Sequence, residues 1–185
     1  MSAFAGVSNN EYGTVAEIDT VRFQRVLPGP IERVWDYLTD SEKRGTWLAS
    51  GVMEPRTGGS VELHYYHADL TTPDDKPPDW FKGREKGFKF GGRVTRWDPP
   101  HLLSFTWGGA SDPNSEVTFE LKPRGKDVLL TLTHRRLGDR GSVLKHSAGW
   151  HTHLGVLVDR LAGNARRPFW VTFMKLEAEY EKRIS

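Results

Sequence analysis

Between residues 142 and 163 the chain carries a long helical period, SVLKHSAGWHTHLGVLVDRLAG, and it does so only after a series of strand-like segments. That order constrains the fold strongly, because a helix following antiparallel strands has to bury its apolar stripe against the sheet they form. The stripe is Val143, Trp150, Leu154, Leu157 and Leu161, at spacings of seven, four, three and four, with Lys145, His151, Asp159 and Arg160 off it. Leu157 is then expected to face a core while Arg160 stays in water. At about 1.5 Å per residue such a helix spans about 30 Å, roughly the width of a small domain.

The strands before it can be read in order. Residues 1–14 are small and polar and are expected to form a loose N-terminal tail. Residues 15–27, VAEIDTVRFQRVL, alternate imperfectly and read as the first strand. Pro28-Gly29-Pro30 ends it, and Pro30 suits the first turn of a helix with the stripe Ile31, Val34, Trp35, Leu38. Asp40 or Ser41 can cap a second short helix through Trp47. Further strands are expected at residues 61–66, 88–97 and 102–107. A clear hairpin follows, in which Val117, Phe119 and Leu121 alternate with Glu116, Thr118 and Glu120 before the chain turns and returns over residues 128–134. Leu130, Leu132 and His134 share one face of that return strand. A second helical stripe, Phe169, Phe173, Leu176, Tyr180 and Ile184, closes the chain behind Pro168. Antiparallel strands closed by helices make an α+β fold, not the alternating pattern of a parallel sheet. With 185 residues, one domain is expected over 15–163, with 164–185 as a helical extension packed on it.

Several classes of function are disfavoured. Twenty-six basic residues against 24 acidic ones leave a net charge of +2, which implies no nucleic-acid-binding patch. The absence of cysteine removes disulfides, thiolate nucleophiles and cysteine-ligated zinc. No basic segment followed by an apolar run opens the chain and no 18-residue apolar stretch occurs, so a soluble cytoplasmic protein without membrane insertion is expected. His151 and His153 sit about 200° apart on a helix, and His146 lies about 10 Å along it from His153, so neither pair can share an ion. No metal and no cofactor is expected. No Gly-x-Ser-x-Gly elbow appears, and Ser147 falls inside a helix, so no catalytic residue is assigned.

Short matches to a known pattern fall in series. They are Pro30-Ile31-Glu32-Arg33-Val34-Trp35 with Leu38-Thr39-Asp40, Trp47, Gly58-Gly59, and Gly92-Arg93-Val94 with Asp98-Pro99-Pro100 and Leu102, Phe105 and Trp107. Val117-Thr118-Phe119-Glu120-Leu121, Leu130-Thr131-Leu132-Thr133-His134, and Gly149-Trp150 with Leu154 and Leu161 complete the series. In this order the chain resembles the START-like (Bet v 1-like, SRPBCC) superfamily, and within it the family named for the activator of heat-shock protein 90 ATPase. The resemblance implies a helix-grip fold, a curved antiparallel sheet of about six strands wrapped around the long C-terminal helix with a cavity between them. It implies a small hydrophobic or aromatic ligand in that cavity. A chaperone-associated regulatory protein of the ATPase-activator type, with a chaperone as partner, is an alternative, as is a cyclase- or hydratase-like enzyme using His134 or His153 as base. Separately, the terminal stripe Phe169, Phe173, Leu176 and Tyr180 reads as an internal packing face or as a homodimer contact. The chain departs from the pattern in the loop at 67–84 and in the helix after Gly163.

Seven tryptophans, nine phenylalanines and five tyrosines either fill a core or line that cavity. The candidate ligand-binding set is Trp47, Tyr65, Phe90, Phe105, Trp107, Phe119, His134, Trp150, His153, Leu154 and Leu157. In the proline-rich loop, Trp80-Phe81 reads as a lid or as a surface anchor. Asp74, Asp75 and Asp79 there could attract a cation or remain solvated.

Overall fold

The computed structural model describes residues 6–108 and 114–184. The strands are β1 (Thr14–Glu17), β2 (Thr20–Pro28), β3 (Ser60–Tyr65), β4 (Phe88–Asp98), β5 (Leu102–Thr106), β6 (Glu116–Arg124) and β7 (Asp127–Arg135). They form one seven-stranded sheet in the order β1-β2-β7-β6-β5-β4-β3, with every neighbour antiparallel. Helices α1 (Ile31–Thr39) and α2 (Ser41–Gly45) lie between β2 and β3, and α3 (Arg140–Ala162) and α4 (Phe169–Arg183) follow β7. This is the helix-grip arrangement, an open curved sheet holding a long helix. No helix among the described residues is long and apolar enough to cross a membrane.

The sheet has seven strands where about six are expected, because residues 15–27 form a hairpin instead of one strand. Ile18 and Asp19 make its two-residue turn, with Ile18 92% exposed. An isoleucine at a turn interrupts the alternation, and that is the irregularity the sequence carries. Residues 8–13, which the sequence assigns to a loose tail, are tied down: Asn9 exchanges two hydrogen bonds with the backbone of Val26, at 2.7 and 2.8 Å, and the Gly13 N–H donates to the Tyr180 hydroxyl at 2.7 Å. Residues 1–5 of the expected tail lie outside the described residues.

Helix α2 starts on Asp40, whose carboxylate accepts from the Lys43 N–H at 2.9 Å. It is shorter than the sequence suggests and ends before Trp47. The buried Arg44 guanidinium stops it there by donating to the carbonyls of Thr39, Ala49 and Gly51.

Helix α3 is capped by Asp139, which accepts from the Ser142 N–H at 2.7 Å, and ends at Gly163 in the left-handed region, φ 73°. Trp150, Leu154, Leu157 and Leu161 face the sheet as the period requires. The opposite side is also buried. Asp159, off the apolar stripe, is 8% exposed and held by Arg167 through two hydrogen bonds of 2.5 and 2.8 Å. His151 accepts from or donates to the Tyr180 hydroxyl at 2.9 Å. The reason is α4, which packs its own stripe of Phe169, Phe173, Leu176 and Tyr180 on the second face of α3.

The N-terminus of α4 falls on Pro168, which offers no capping side chain. Its free N–H groups are satisfied from the distant loop: Thr71 Oγ1 accepts from Phe169 N–H at 2.8 Å, and the Asp75 carboxylate accepts from Trp170 and Val171 at 2.6 and 3.1 Å. A carboxylate there also meets the positive end of the helix dipole. The acidic loop is therefore a helix cap as far as Asp75 is concerned, while Asp79 pairs with Lys82 at 2.8 Å. Asp75→Ala should lower stability by about 1–3 kcal/mol, a loss within the range for caps and charged hydrogen bonds. Thermal unfolding reads this as a drop of several degrees, with Asp75→Asn losing less. An unchanged midpoint would show that the loop does not anchor the helix.

Candidate ligand-binding cavity

Where β3 meets β4 the register sets Tyr65 opposite Phe88 and Leu63 opposite Phe90. The strand pleat sends Tyr65, Phe88 and Phe90 to one face, and their rings stack: Tyr65 lies 4.9 Å from Phe88 at 3° and 5.3 Å from Phe90 at 16°. Phe90 meets Trp107 edge-on at 4.9 Å, and Trp107 meets Trp150 of α3 at 4.9 Å. Gly92 permits this curvature, since a Cβ there would lie 1.9 Å from the Thr106 carbonyl oxygen. A cavity of about 200 Å³ opens beside these rings.

Its far wall comes from the two segments that depart from the family pattern. Phe81 and Trp80 reach in from the loop, and Phe169, Trp170 and Phe173 from the start of α4. Phe81 and Trp170 are 4.5 Å apart, and His67 sits among Phe81, Phe169 and Trp170 at 5.1, 5.0 and 4.9 Å. Leu48, His146, Gly149 and His153 complete the lining. At Gly149 a Cβ would meet no atom within 4 Å, so that turn of α3 presents bare space. Arg84, Lys145 and the 56%-exposed Trp80 line the cavity while remaining open to solvent, and they mark its mouth.

The sequence-derived set divides in two. Tyr65, Phe90, Trp107, Trp150 and His153 line the cavity. Trp47, Phe105, Phe119, His134, Leu154 and Leu157 do not; they are all buried in closed packing. Phe105 stacks on Phe119 at 6.1 Å and Phe119 meets Trp47 at 6.4 Å. Leu154 and Leu157 lie one and two turns beyond Trp150, where the sheet closes fully on α3. Parity identifies the inward face but not where along it packing leaves a gap.

His134 is inward-facing, as its strand parity predicts, but both ring nitrogens are engaged. Its Nδ1 accepts from Trp150 Nε1–H at 2.9 Å, and its Nε2 is hydrogen-bonded to Ser115 Oγ. In the neutral ring Nε2 therefore carries the proton. His134 fixes Trp150 and does not reach the cavity.

The remaining lining residues were hidden for identifiable reasons. His67 carries no lining signal of its own, because the chain leaves β3 after Tyr65 and turns into a 3₁₀ helix at His67–Asp69, which no strand period anticipates. Phe169 and Phe173 read as part of a packing stripe whose N-terminal end overhangs the cavity, and Trp170, off that stripe, carries no signal. The Trp80-Phe81 pair is the one loop signal that pointed to the site.

Burial keeps the histidines uncharged. Desolvation, with a smaller contribution from His153, brings His67 down to about 3. Desolvation likewise brings His153 down to about 4, against the hydrogen bond to Trp47, whose carbonyl accepts from His153 Nδ1–H at 2.8 Å. Burial and the neighbouring His146 hold His134 well below its ordinary value, and burial raises the Tyr65 hydroxyl well above its own. With Nδ1 committed, His153 Nε2 is left as an acceptor, and His67 Nδ1 is buried without a partner. No group of three metal-ligating side chains occurs among the described residues.

A family model described as activator of Hsp90 ATPase homologue 1-like protein matches residues 28–162. Among solved structures, a Bordetella parapertussis protein determined by solution NMR is similar over 99% of this chain and 95% of its own, with 41% identity and a TM-score of 0.80. CalU16 from Micromonospora echinospora, in a crystal structure, is similar over 89% of this chain and 85% of its own, with 20% identity and a TM-score of 0.63. A conserved Enterococcus faecalis protein of unknown function is similar over 90% and 86%, with 20% identity and a TM-score of 0.63. The last two similarities concern the fold alone. A search of curated proteins returned no match.

Proposed function

The chain belongs to the activator of Hsp90 ATPase homologue 1-like family, and on that premise we propose that it is a START-like binding protein for one small aromatic molecule held beside Trp150. The observation that carries this reading is the cavity: rings from β3, β4, the 67–84 loop, α3 and α4 surround about 200 Å³ that no side chain fills. Such a space lies between an engineered void of about 150 Å³ that takes up benzene and the roughly 300 Å³ lower bound of sites for drug-sized ligands, so it suits one or two rings.

Binding is favoured over catalysis by the state of the polar groups. A histidine with a pKa near 4, as for His153, is a weak proton acceptor at neutral pH. Among the described residues, the hydrogen bond His153 makes is to the Trp47 carbonyl and not to a nucleophile.

The test is a panel of naphthalene, indole, 2-naphthol, 2-naphthoate and 2-naphthamide, followed by calorimetry and thermal shift. At least one member should bind one to one. A ligand present at about 100 times its dissociation constant adds about 2.7 kcal/mol, or several degrees in the unfolding midpoint of a chain this size. No heat and no shift with any member would sink the reading.

A further inference from the structure

The charged groups that line the cavity are all of one sign. Arg84, from the loop, and Lys145, near the start of α3, both line it, and no aspartate or glutamate does. Neither takes part in a salt bridge among the described residues. The Arg84 guanidinium is already placed, 5.6 Å over the centre of the Phe88 ring that forms part of the wall. The body of the cavity is aromatic and its inner end holds uncharged imidazoles, so a buried anion would find no counter-charge there. An anionic group can be accommodated only at the mouth.

Resting on the binding function proposed above, we infer that the occupant is an aromatic acid of one or two rings, with its ring system against Tyr65, Phe88 and Phe90 and its carboxylate between Arg84 and Lys145. Arg84 supplies a planar, multiply donating guanidinium suited to a carboxylate, and Lys145 a mobile point charge. The orientation follows from the same asymmetry: rings inward, acid outward.

Two probes of nearly equal shape separate charge from shape, 2-naphthoate and 2-naphthamide, titrated calorimetrically at low salt. The acid should bind about tenfold or more tightly than the amide, as charge-assisted contacts exceed neutral ones. Raising the salt to about 0.5 M should shrink that preference, because the mouth is open to solvent. In R84Q/K145Q the acid-to-amide ratio should fall to within about threefold, and R84Q and K145Q alone should each remove part of it. Both side chains are exposed, and an unchanged thermal midpoint confirms that the variants fold. Equal affinities in the unmodified protein, or a preference that persists in R84Q/K145Q, overturn the inference while leaving cavity binding intact. Failure of both probes and of the rest of the panel overturns the binding function and this inference with it.

Discussion

Gly149→Leu should leave the protein folded and abolish ligand binding. Gly149 lies in the interior of α3, one residue before Trp150, and a Cβ there points into open space. Replacing an interior helical glycine by a better helix former gains up to about 1 kcal/mol of intrinsic propensity. The new side chain would occupy the cavity and cover apolar ring surface that is otherwise uncovered, which adds to stability. The thermal midpoint should therefore stay level or rise by a few degrees, while the affinity for any cavity ligand falls by about a hundredfold or more, since a rigid ring cannot share 200 Å³ with a leucine. Gly149→Ala serves as a graded comparison, with a similar gain in stability and a smaller loss of affinity. Full retention of binding in Gly149→Leu would place the ligand elsewhere on the protein.

Acidification from pH 7 to pH 5 should destabilise the fold by about 4 kcal/mol through two cavity histidines alone. His67 and His153 have folded-state values near 3 and 4, whereas an unfolded histidine titrates near 6.5. The unfolded chain thus takes up protons that the folded chain refuses. Stability is full above pH 6.5 and is lost as the pH falls through that value toward the folded ones, at about 1.4 kcal/mol per pH unit per group. Over this interval each ring accounts for about 2 kcal/mol. His134, lowered by burial and by His146, acts in the same direction. Urea unfolding at pH 7, 6 and 5 measures the slope. His67→Phe should reduce that slope by one group's share, because phenylalanine suits the surrounding rings and removes the unpartnered Nδ1. A stability that is flat between pH 7 and 5 would contradict the buried, uncharged state of these rings.

Local signals in the sequence carried the element order, the α3 stripe and the hairpin of β6 and β7, because period-2 and period-3.6 patterns survive whatever packs against them. The turn at Ile18 and Asp19 escaped because Ile18 is β-branched and reads as strand, while Asp19, a turn former, stands without the glycine or asparagine that usually marks a two-residue hairpin. The second buried face of α3 escaped for a different reason. Asp159 is polar and reads as solvated, and only the arrival of Arg167 and α4 makes its burial affordable. The cavity was half legible: Tyr65, Phe90, Trp107, Trp150 and His153 follow from strand and helix parity. The outer wall did not follow, since it depends on Asp75 meeting Trp170, 95 residues away. His134 was placed on the correct face, but its bond to Trp150 depends on the spacing between sheet and helix.

The junction of Asp75 with the start of α4 bears on how this family can diversify. The strand pairing and the inward face of α3 form one side of the cavity, whereas the other side is built from Phe81, Phe169, Trp170 and Phe173, on a loop and a helix that begins beyond the matched region. Under the binding function proposed above, substitutions at those aromatic positions are expected to change which molecule is accepted while touching few of the contacts between strands. On that reading a new preference can arise by changing the wall built by the loop and α4 while the strand pairing of the sheet stays constant.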